Sequence, residues 1–563
     1  MKNHTWQVDL FWLTIAIGGF FAVLLGGHAL IVPDEARYFE VAREMVASGN
    51  YLTPHINGVV FLDKPILLYW LLASAIKVFG LSAWSARFWP ALIGLLGCLF
   101  IYIGGRLLFN RRVAIIAATL LASAPLYYIL AHYVNMDLTV GVFISCSLLS
   151  FLVAMQKMTG WPRTFWLWLA YAFAALAFLT KGLIGIVFPG MIIGCWIVVT
   201  NRWVVSKQMR LLSGLLIFLL IVAPWLILQQ RFDPHFGYYF FVKLQFLRYL
   251  TTRFDSHQPF WFYIPVVLIG IIPRVFFLPQ AIYMHFKMIW HDKKKHTTEL
   301  FLLLWLLLIF LFFSIPKSKL IGYMLPVVPP LVLLISVYFD AMWHKVTQLG
   351  IRIGLLIWAV VAIIAVLALF IIPFVVKLPV VGLIPYCYLL AVIFLISAAL
   401  ILLTWRSKTI AKYLVNLIIT TGLILLIAMA ALPKLELTST RLLINKLQPY
   451  LRTDEKIITF NAYYYDLPIY LQRKVYVVEN WPDLIKKHHD NWAGYFADGF
   501  QFRGSQLHWL INDQDLAKLW HGSKRIFVFL DADQLPVLKS LVKSKLYFIG
   551  QQKKVVLVTN NPC

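Results

Sequence analysis

Repeated apolar runs of membrane-spanning length are the feature that most narrows what this chain can become. Stretches such as Gly214 to Val222 and Leu300 to Phe313 lie in runs that continue until a charge or a proline stops them. A helix needs roughly 20 such residues to cross the hydrocarbon core of a bilayer. Inside lipid the backbone has no water to bond, so runs of this kind fold as a helical bundle. The composition agrees. Of the 563 residues 61% are hydrophobic and 13% are charged, against about 25% charged in a soluble domain.

The runs predict thirteen spans, near 10–31, 83–106, 113–130, 134–155, 165–181, 183–200, 211–229, 262–288, 299–315, 320–340, 353–375, 384–404 and 413–433. The first is too long for a signal-peptide core and no small-residue cleavage site follows it, so it is expected to stay on the chain. The stretch Pro65 to Phe79 is too short to cross comfortably and is expected to lie in the interface.

The net charge of +26 raises the question of a nucleic-acid partner, and its distribution answers it. Many of the cations fall in short loops between apolar runs: Arg106, Arg111 and Arg112; Lys157 and Arg163; Arg202, Lys207 and Arg210; Lys287 with Lys293 to Lys295; Lys345 and Arg352; Arg406, Lys408 and Lys412. Alternate loops rich in Lys and Arg mark the cytoplasmic side. This points to membrane lipids and away from nucleic acid. It places the amino terminus in the cytoplasm and the carboxyl terminus outside. The five cysteines show neither CxxC pairs nor metal spacing, which argues against a disulfide scaffold or a zinc module.

Two outer segments, near 33–82 and 230–261, are long for mere connections, and such loops tend to carry function. After Pro433 the composition becomes mixed. Lys456 to Phe460, Lys474 to Val478, Arg525 to Leu530 and Val555 to Thr559 read as strands, and Asp533 to Val542 as a helix. The expected organisation is a membrane domain over residues 1–436, followed by a soluble α/β domain over 437–563 to which the sequence assigns no chemistry.

Candidate chemistry collects at the outer ends of spans. Asp34 and Glu35 follow Pro33 where a helical pattern begins. They either complement the helix dipole or offer Asp34 as a base or cation partner. Asp63 and Lys64 precede an aromatic-rich stretch. They are either a solvated pair or a phosphate grip with lysine as the point charge. Asp137 either caps span four or acts as a functional acid at a membrane boundary. Lys181, at the turn Thr180-Lys181-Gly182, either snorkels or binds an anion. Arg248, His257, Lys317, Lys319 and Tyr323 complete the set, with Arg37 and Tyr38 beside Asp34. Cations that run against the positive-inside trend suit an anionic substrate, and a sugar phosphate needs charge-assisted donors.

These residues form a pattern. The run PDEARYFEVAREMVASGNYLTP…FLDKPILLYW, the Asp137 element, Thr180-Lys181-Gly182, the stretch from His257 and SKLIGYMLP from Ser318 resemble the lipid A aminoarabinose transferases and the wider protein O-mannosyltransferase-like group. The likeness runs in order over roughly residues 10 to 340. It implies a polytopic α-helical protein of the GT-C type in the bacterial inner membrane, with active site and carboxyl terminus in the periplasm. The implied activity is a metal-assisted, inverting transfer from an undecaprenyl-phosphate sugar. Asp34 matches the catalytic aspartate and Asp137 a second acid. Lys64, Arg248 and Tyr323 match positions that hold the lipid phosphate, and Lys181 a cavity lysine. A divalent ion (Zn, Mg or Mn) would fall to Asp63 and His257. The chain departs from the pattern in having Asp63 where glutamate is usual, and Lys243 and Gln245 before Arg248 where histidine is often found.

The expected reaction moves 4-amino-4-deoxy-L-arabinose onto a lipid A phosphate, a lipopolysaccharide modification linked to antimicrobial peptide resistance. One alternative is a protein O-glycosyltransferase or another lipopolysaccharide sugar transferase. From a different class comes a polyisoprenoid-lipid flippase, which predicts internal repeats and midplane charges that the sequence does not display.

Overall fold

The computed structural model describes all residues except 1–3, 248–256, 346–347, 376–380, 406–408, 436–438, 453, 483–491 and 563. The chain divides into two compact units. One comprises Met1–Gly27, Arg87–Pro224 and Ser256–Leu435, and the other His28–Ala86, Trp225–Asp255 and Glu436–Cys563.

The first unit is helical. Among the described residues ten helices are long and apolar enough to cross a membrane, or twelve if each of two bent pairs counts as one span. The remaining expected span, 183–200, is the helix Ile184–Thr200 of 17 residues. It rises only about 25 Å at 1.5 Å per residue, short of the roughly 30 Å of hydrocarbon. The bends follow from proline. Arg111–Ala122 and Pro125–Ala131 meet at 62°, and Phe260–Gly270 and Arg274–His291 at 102°, with Pro125 and Pro273 at the breaks. Proline lacks the N–H that would continue the ladder.

Two sets of ion pairs stand out in this unit. Asp9 accepts both nitrogens of Arg111 at 2.6 and 2.7 Å, Arg106 at 2.7 Å and the Tyr102 hydroxyl at 2.7 Å. Arg112 pairs with Asp340 at 2.8 Å. Both sets tie the ends of separate helices together.

The second unit gathers the first loop, the segment from Trp225 and the C-terminal residues. In the loop, α1 (Asp34–Ser48) and α2 (Leu67–Phe79) flank a hairpin of β1 (His55–Ile56) and β2 (Val59–Val60). Helix α2 has the thirteen-residue length expected of an interfacial element. The hairpin turns on Asn57 and Gly58, both at positive φ, as a tight two-residue turn requires. Asn57 is fully buried. Its amide donates to the Val475 carbonyl at 2.8 Å and accepts from the Val475 N–H at 2.9 Å, so the loop is stitched to the C-terminal domain as a strand would be.

That domain holds a six-stranded sheet of β3 (Lys456–Phe460), β4 (Tyr476–Val478), β5 (Leu510–Ile511), β6 (Ile526–Asp531), β7 (Tyr547–Gln552) and β8 (Val555–Thr559), ordered β5-β4-β3-β6-β8-β7. Strands β3 to β6 pair in parallel, and β8 pairs antiparallel with β6 and β7. The central strands are apolar on both faces, as coverage on both sides demands. Ile458, Phe460, Val528, Leu530, Val556 and Val558 pack there with Leu516, Trp520 and Leu538. The four strands and the helix expected from sequence are present; β5 and β7, with weaker apolar patterns, are additional.

Asn57→Ala removes both bonds to Val475 and leaves buried backbone groups unsatisfied. We expect it to destabilise the full-length protein by about 1–3 kcal/mol, read as a lowered thermal unfolding midpoint in detergent. An unchanged midpoint would show that the stitch carries no stability.

Candidate functional site

The first cluster is built on the opening turn of α1. The two acids there divide the work. Glu35 accepts from the Ile31 N–H at 2.9 Å, a local helix-start bond of the kind expected for this position. Asp34 instead pairs with Arg37 one turn on, Oδ1 to Nη2 at 2.7 Å. The Asp34 side chain is 44% exposed while that of Arg37 is 11% exposed, so the carboxylate stays accessible and the cation lies behind it.

Aromatic rings surround Arg37. Its Nη1 donates to the Tyr495 hydroxyl at 3.1 Å. The guanidinium stands 5.1 Å from the ring centres of Tyr38 and Tyr495 and 5.9 Å from that of Tyr465, within cation–π range. Its Nε has no hydrogen-bond partner among the described residues. Burial pushes the Tyr38 phenol well up, Arg37 opposes it, and Asp63 and Asp34 add to it; Tyr465 is raised by burial too.

Asp63 and Lys64 belong to the same neighbourhood, since Asp63 acts electrostatically on Tyr38. Lys64 Nζ lies 3.0 Å from the Asp63 carboxylate and 3.1 Å from its carbonyl, with the two side chains 15% and 4% exposed. This is a shielded pair, not a solvated one. Farther along α1, Glu40 and Arg43 form a buried two-bond pair at 2.7 Å. Glu44 meets Lys474 at 3.3 Å.

The helical unit holds a second cluster. Asn135, not Asp137, caps the helix Met136–Lys157, accepting from the N–H groups of Asp137 and Leu138. That frees the Asp137 carboxylate to pair with Lys181. Lys181 ends the helix Gly160–Lys181, just before Gly182 at φ 83°, and its Nζ lies 4.3 Å from the Tyr323 ring centre. Tyr323 stacks on Phe313 at 4.8 Å. A Cβ on Gly322 would run into the Asp137 carboxylate, so glycine is what lets this turn approach so closely.

Other expected residues take different places. Lys319 is buried and clasps the Gln258 and Pro316 carbonyls, which makes it a structural cation. His257 forms an isolated bridge with Ser318, and Gln258 N–H bonds the Lys317 carbonyl at 2.9 Å. Arg248 lies outside the described residues. Among the described residues no group of three or more His, Cys, Asp or Glu could hold a metal; Asp63 lies against Lys64 in the second unit, and His257 belongs to the first.

The sequence reading missed Tyr465 and Tyr495. One signal was available. Tyr463-Tyr464-Tyr465 begins three residues after the end of a parallel strand, and the carboxyl ends of such strands are where α/β domains do their work.

Comparison with known proteins now bears on this geometry. Over its length the chain superposes on the crystal structure of ArnT from Cupriavidus metallidurans bound to undecaprenyl phosphate. The TM-score is 0.83 at 24% identity, covering 99% of this chain and 98% of that one. The apo structure of the same protein gives 0.81. The chain has the ArnT fold. The expected GT-C architecture with a C-terminal α/β domain is therefore the observed one.

Residues 25–240 match the family described as dolichyl-phosphate-mannose-protein mannosyltransferase. An undecaprenyl phosphate-alpha-4-amino-4-deoxy-L-arabinose arabinosyl transferase of Proteus mirabilis is 32% identical over 63% of this chain and 64% of its own length. Its namesake in Aeromonas salmonicida is 30% identical over 60% of each chain. The chain thus spans a little under two thirds of the curated relatives it matches. The resemblance read from the motifs is borne out.

Asp137 and Lys181 are 13% and 15% exposed, so removing one leaves the other charge largely buried. Lys181→Met alone is expected to cost about 3–5 kcal/mol, and combining it with Asp137→Leu to recover most of that loss. Reversible detergent unfolding of the two single variants and the double variant checks this. Additive losses would contradict the pairing.

Proposed function

We propose that this protein transfers a sugar from an undecaprenyl-phosphate donor to an acceptor at the periplasmic face of the bacterial inner membrane. The sugar is 4-amino-4-deoxy-L-arabinose and the acceptor a lipid A phosphate. The observation that carries the reading is the pairing of an accessible carboxylate, Asp34, with a shielded cation, Arg37, in the same neighbourhood as Lys64. The names and folds of the proteins it resembles support the same chemistry.

In this reading an acceptor oxygen attacks the anomeric carbon as the bond from that carbon to the lipid phosphate oxygen breaks, with inversion. The electron pair leaves with undecaprenyl phosphate. Lys64 and Arg37 stabilise the charge developing on the phosphate through charge-assisted donors. A phosphate acceptor arrives ionised, so Asp34 orients it and holds Arg37 in place. In the helical unit Asp137 is the second catalytic acid, and Lys181 and Tyr323 are substrate-binding residues.

The mannosyltransferase family match over residues 25–240 favours a second reading, in which the acceptor is a protein hydroxyl. Asp34 would then remove its proton as a general base.

Purified protein supplied with undecaprenyl-phosphate aminoarabinose and lipid A tests the proposal. We expect sugar transfer by the wild type and a loss of about 10²-fold or more in kcat/KM for Asp34→Asn. Lys64→Ala should raise the donor KM. Wild-type rates in Asp34→Asn would defeat its assignment. Transfer to a protein hydroxyl but not to lipid A would select the second reading.

A further inference from the structure

We infer that the C-terminal α/β domain takes part in the reaction, with Tyr465 and Tyr495 as positioning residues that fix the Arg37 guanidinium against Asp34. The inference rests on the proposed transfer and gives residues 437–563 a task within it.

The sheet topology explains why the tyrosines stand where they do. Strands β3 and β6 are parallel neighbours at the centre of the order β5-β4-β3-β6-β8-β7. The chain leaves β3 towards β4 on one side and β6 towards β7 and β8 on the other. At such a switch point the loops diverge and a crevice opens beyond the carboxyl ends of the strands, the usual ligand site of an open α/β sheet. Here protein fills it. Tyr464 closes the crevice by donating to Asp531, the last residue of β6, at 2.7 Å. Tyr463 and Tyr465 meet edge to face at 5.1 Å, and Tyr465 turns its ring to Arg37.

The loop that carries them is anchored. Asp466 is buried and accepts from the Ser439 hydroxyl at 2.8 Å and the Thr440 N–H at 2.7 Å. The short helix α3 (Leu467–Leu471) then packs on α1. Tyr495 comes from α4 (Trp492–Gly499). It touches both halves of the first-loop cluster: its hydroxyl accepts from Arg37, and its ring meets Phe61, two residues before Asp63, edge-on at 5.3 Å.

The physical need is clear. A guanidinium 11% exposed has lost most of its water, and one exposed carboxylate replaces only part of it. Aromatic faces and a phenolic oxygen supply more of it and hold the side chain from several sides. Fixing Arg37 also fixes Asp34, because the two are joined at 2.7 Å. Simple packing would need the rings alone. The hydroxyl of Tyr495 on Nη1 is the part that packing does not require.

The test uses the full-length protein in detergent with undecaprenyl-phosphate aminoarabinose and lipid A. Tyr495→Phe keeps the ring and removes the hydrogen bond. We expect its kcat to fall about tenfold, the factor for a charge-assisted bond, with the donor KM within about twofold. Tyr465→Leu should lower kcat similarly and Tyr465→Phe should recover only part of it, since ring and hydroxyl both act on Arg37. In parallel, phenylglyoxal labelling of Arg37, followed by peptide mass spectrometry, should run several-fold faster in Tyr495→Leu and Tyr465→Leu. Wild-type kcat in Tyr495→Phe, or unchanged Arg37 labelling in both leucine variants, overturns the inference. A wild-type protein that transfers no sugar overturns the proposed function instead, and the labelling arm then decides the inference alone.

Discussion

The cost of holding a charge away from water governs how this protein is put together. Arg37 is the clearest case. Its guanidinium is shielded from solvent, bonded to Asp34 on one side and to Tyr495 on the other, and faced by three aromatic rings. An unpaired cation so placed would be strongly destabilising, whereas a paired and hydrogen-bonded one is tolerated and held rigid. The same rule repeats at Asp9 with its two arginines and Tyr102, at Glu40 with Arg43, and at Asp137 with Lys181. In a chain with so few acids, most of the shielded ones meet a basic partner and take a definite place.

This economy separates the charges by how far their partners enclose them. The Asp9 cluster joins helix ends, and its carboxylate is taken up by Arg106, Arg111 and Tyr102. Asp34 differs because its carboxylate remains accessible while its partner does not. Lys319, a surplus cation in the sequence, proves to bind backbone carbonyls and so belongs to the structural group. Lys64 and Lys181 each lie against a carboxylate, which orients the ammonium group.

Much of this was legible in the sequence, and the exceptions have physical reasons. Long apolar runs have one stable solution in lipid, so the spans could be read directly; only 183–200, found as a helix of 17 residues, is short for one. The first-loop residues were legible as motifs. The choice between cap and functional acid at Asp137 turned on its neighbour: Asn135 is an equally good cap type, and once it takes that duty Asp137 is released. The partnership of Arg37 with Tyr495 could not be read, because 458 residues separate them and no local pattern reaches that far. The strands of the C-terminal domain were visible from their apolar alternation and runs, while the task of the loops between them depended on tertiary contact.

The proposed transfer turns on its acceptor, taken to be a lipid A phosphate. The most direct measurement is mass spectrometry of lipid A and of periplasmic glycoproteins from otherwise identical cells with and without this chain, grown under polymyxin challenge. The account predicts that aminoarabinose-modified lipid A disappears in the deletion strain and returns with the wild-type chain, while glycoproteins stay unchanged. Equal amounts of modified lipid A in both strains would contradict it.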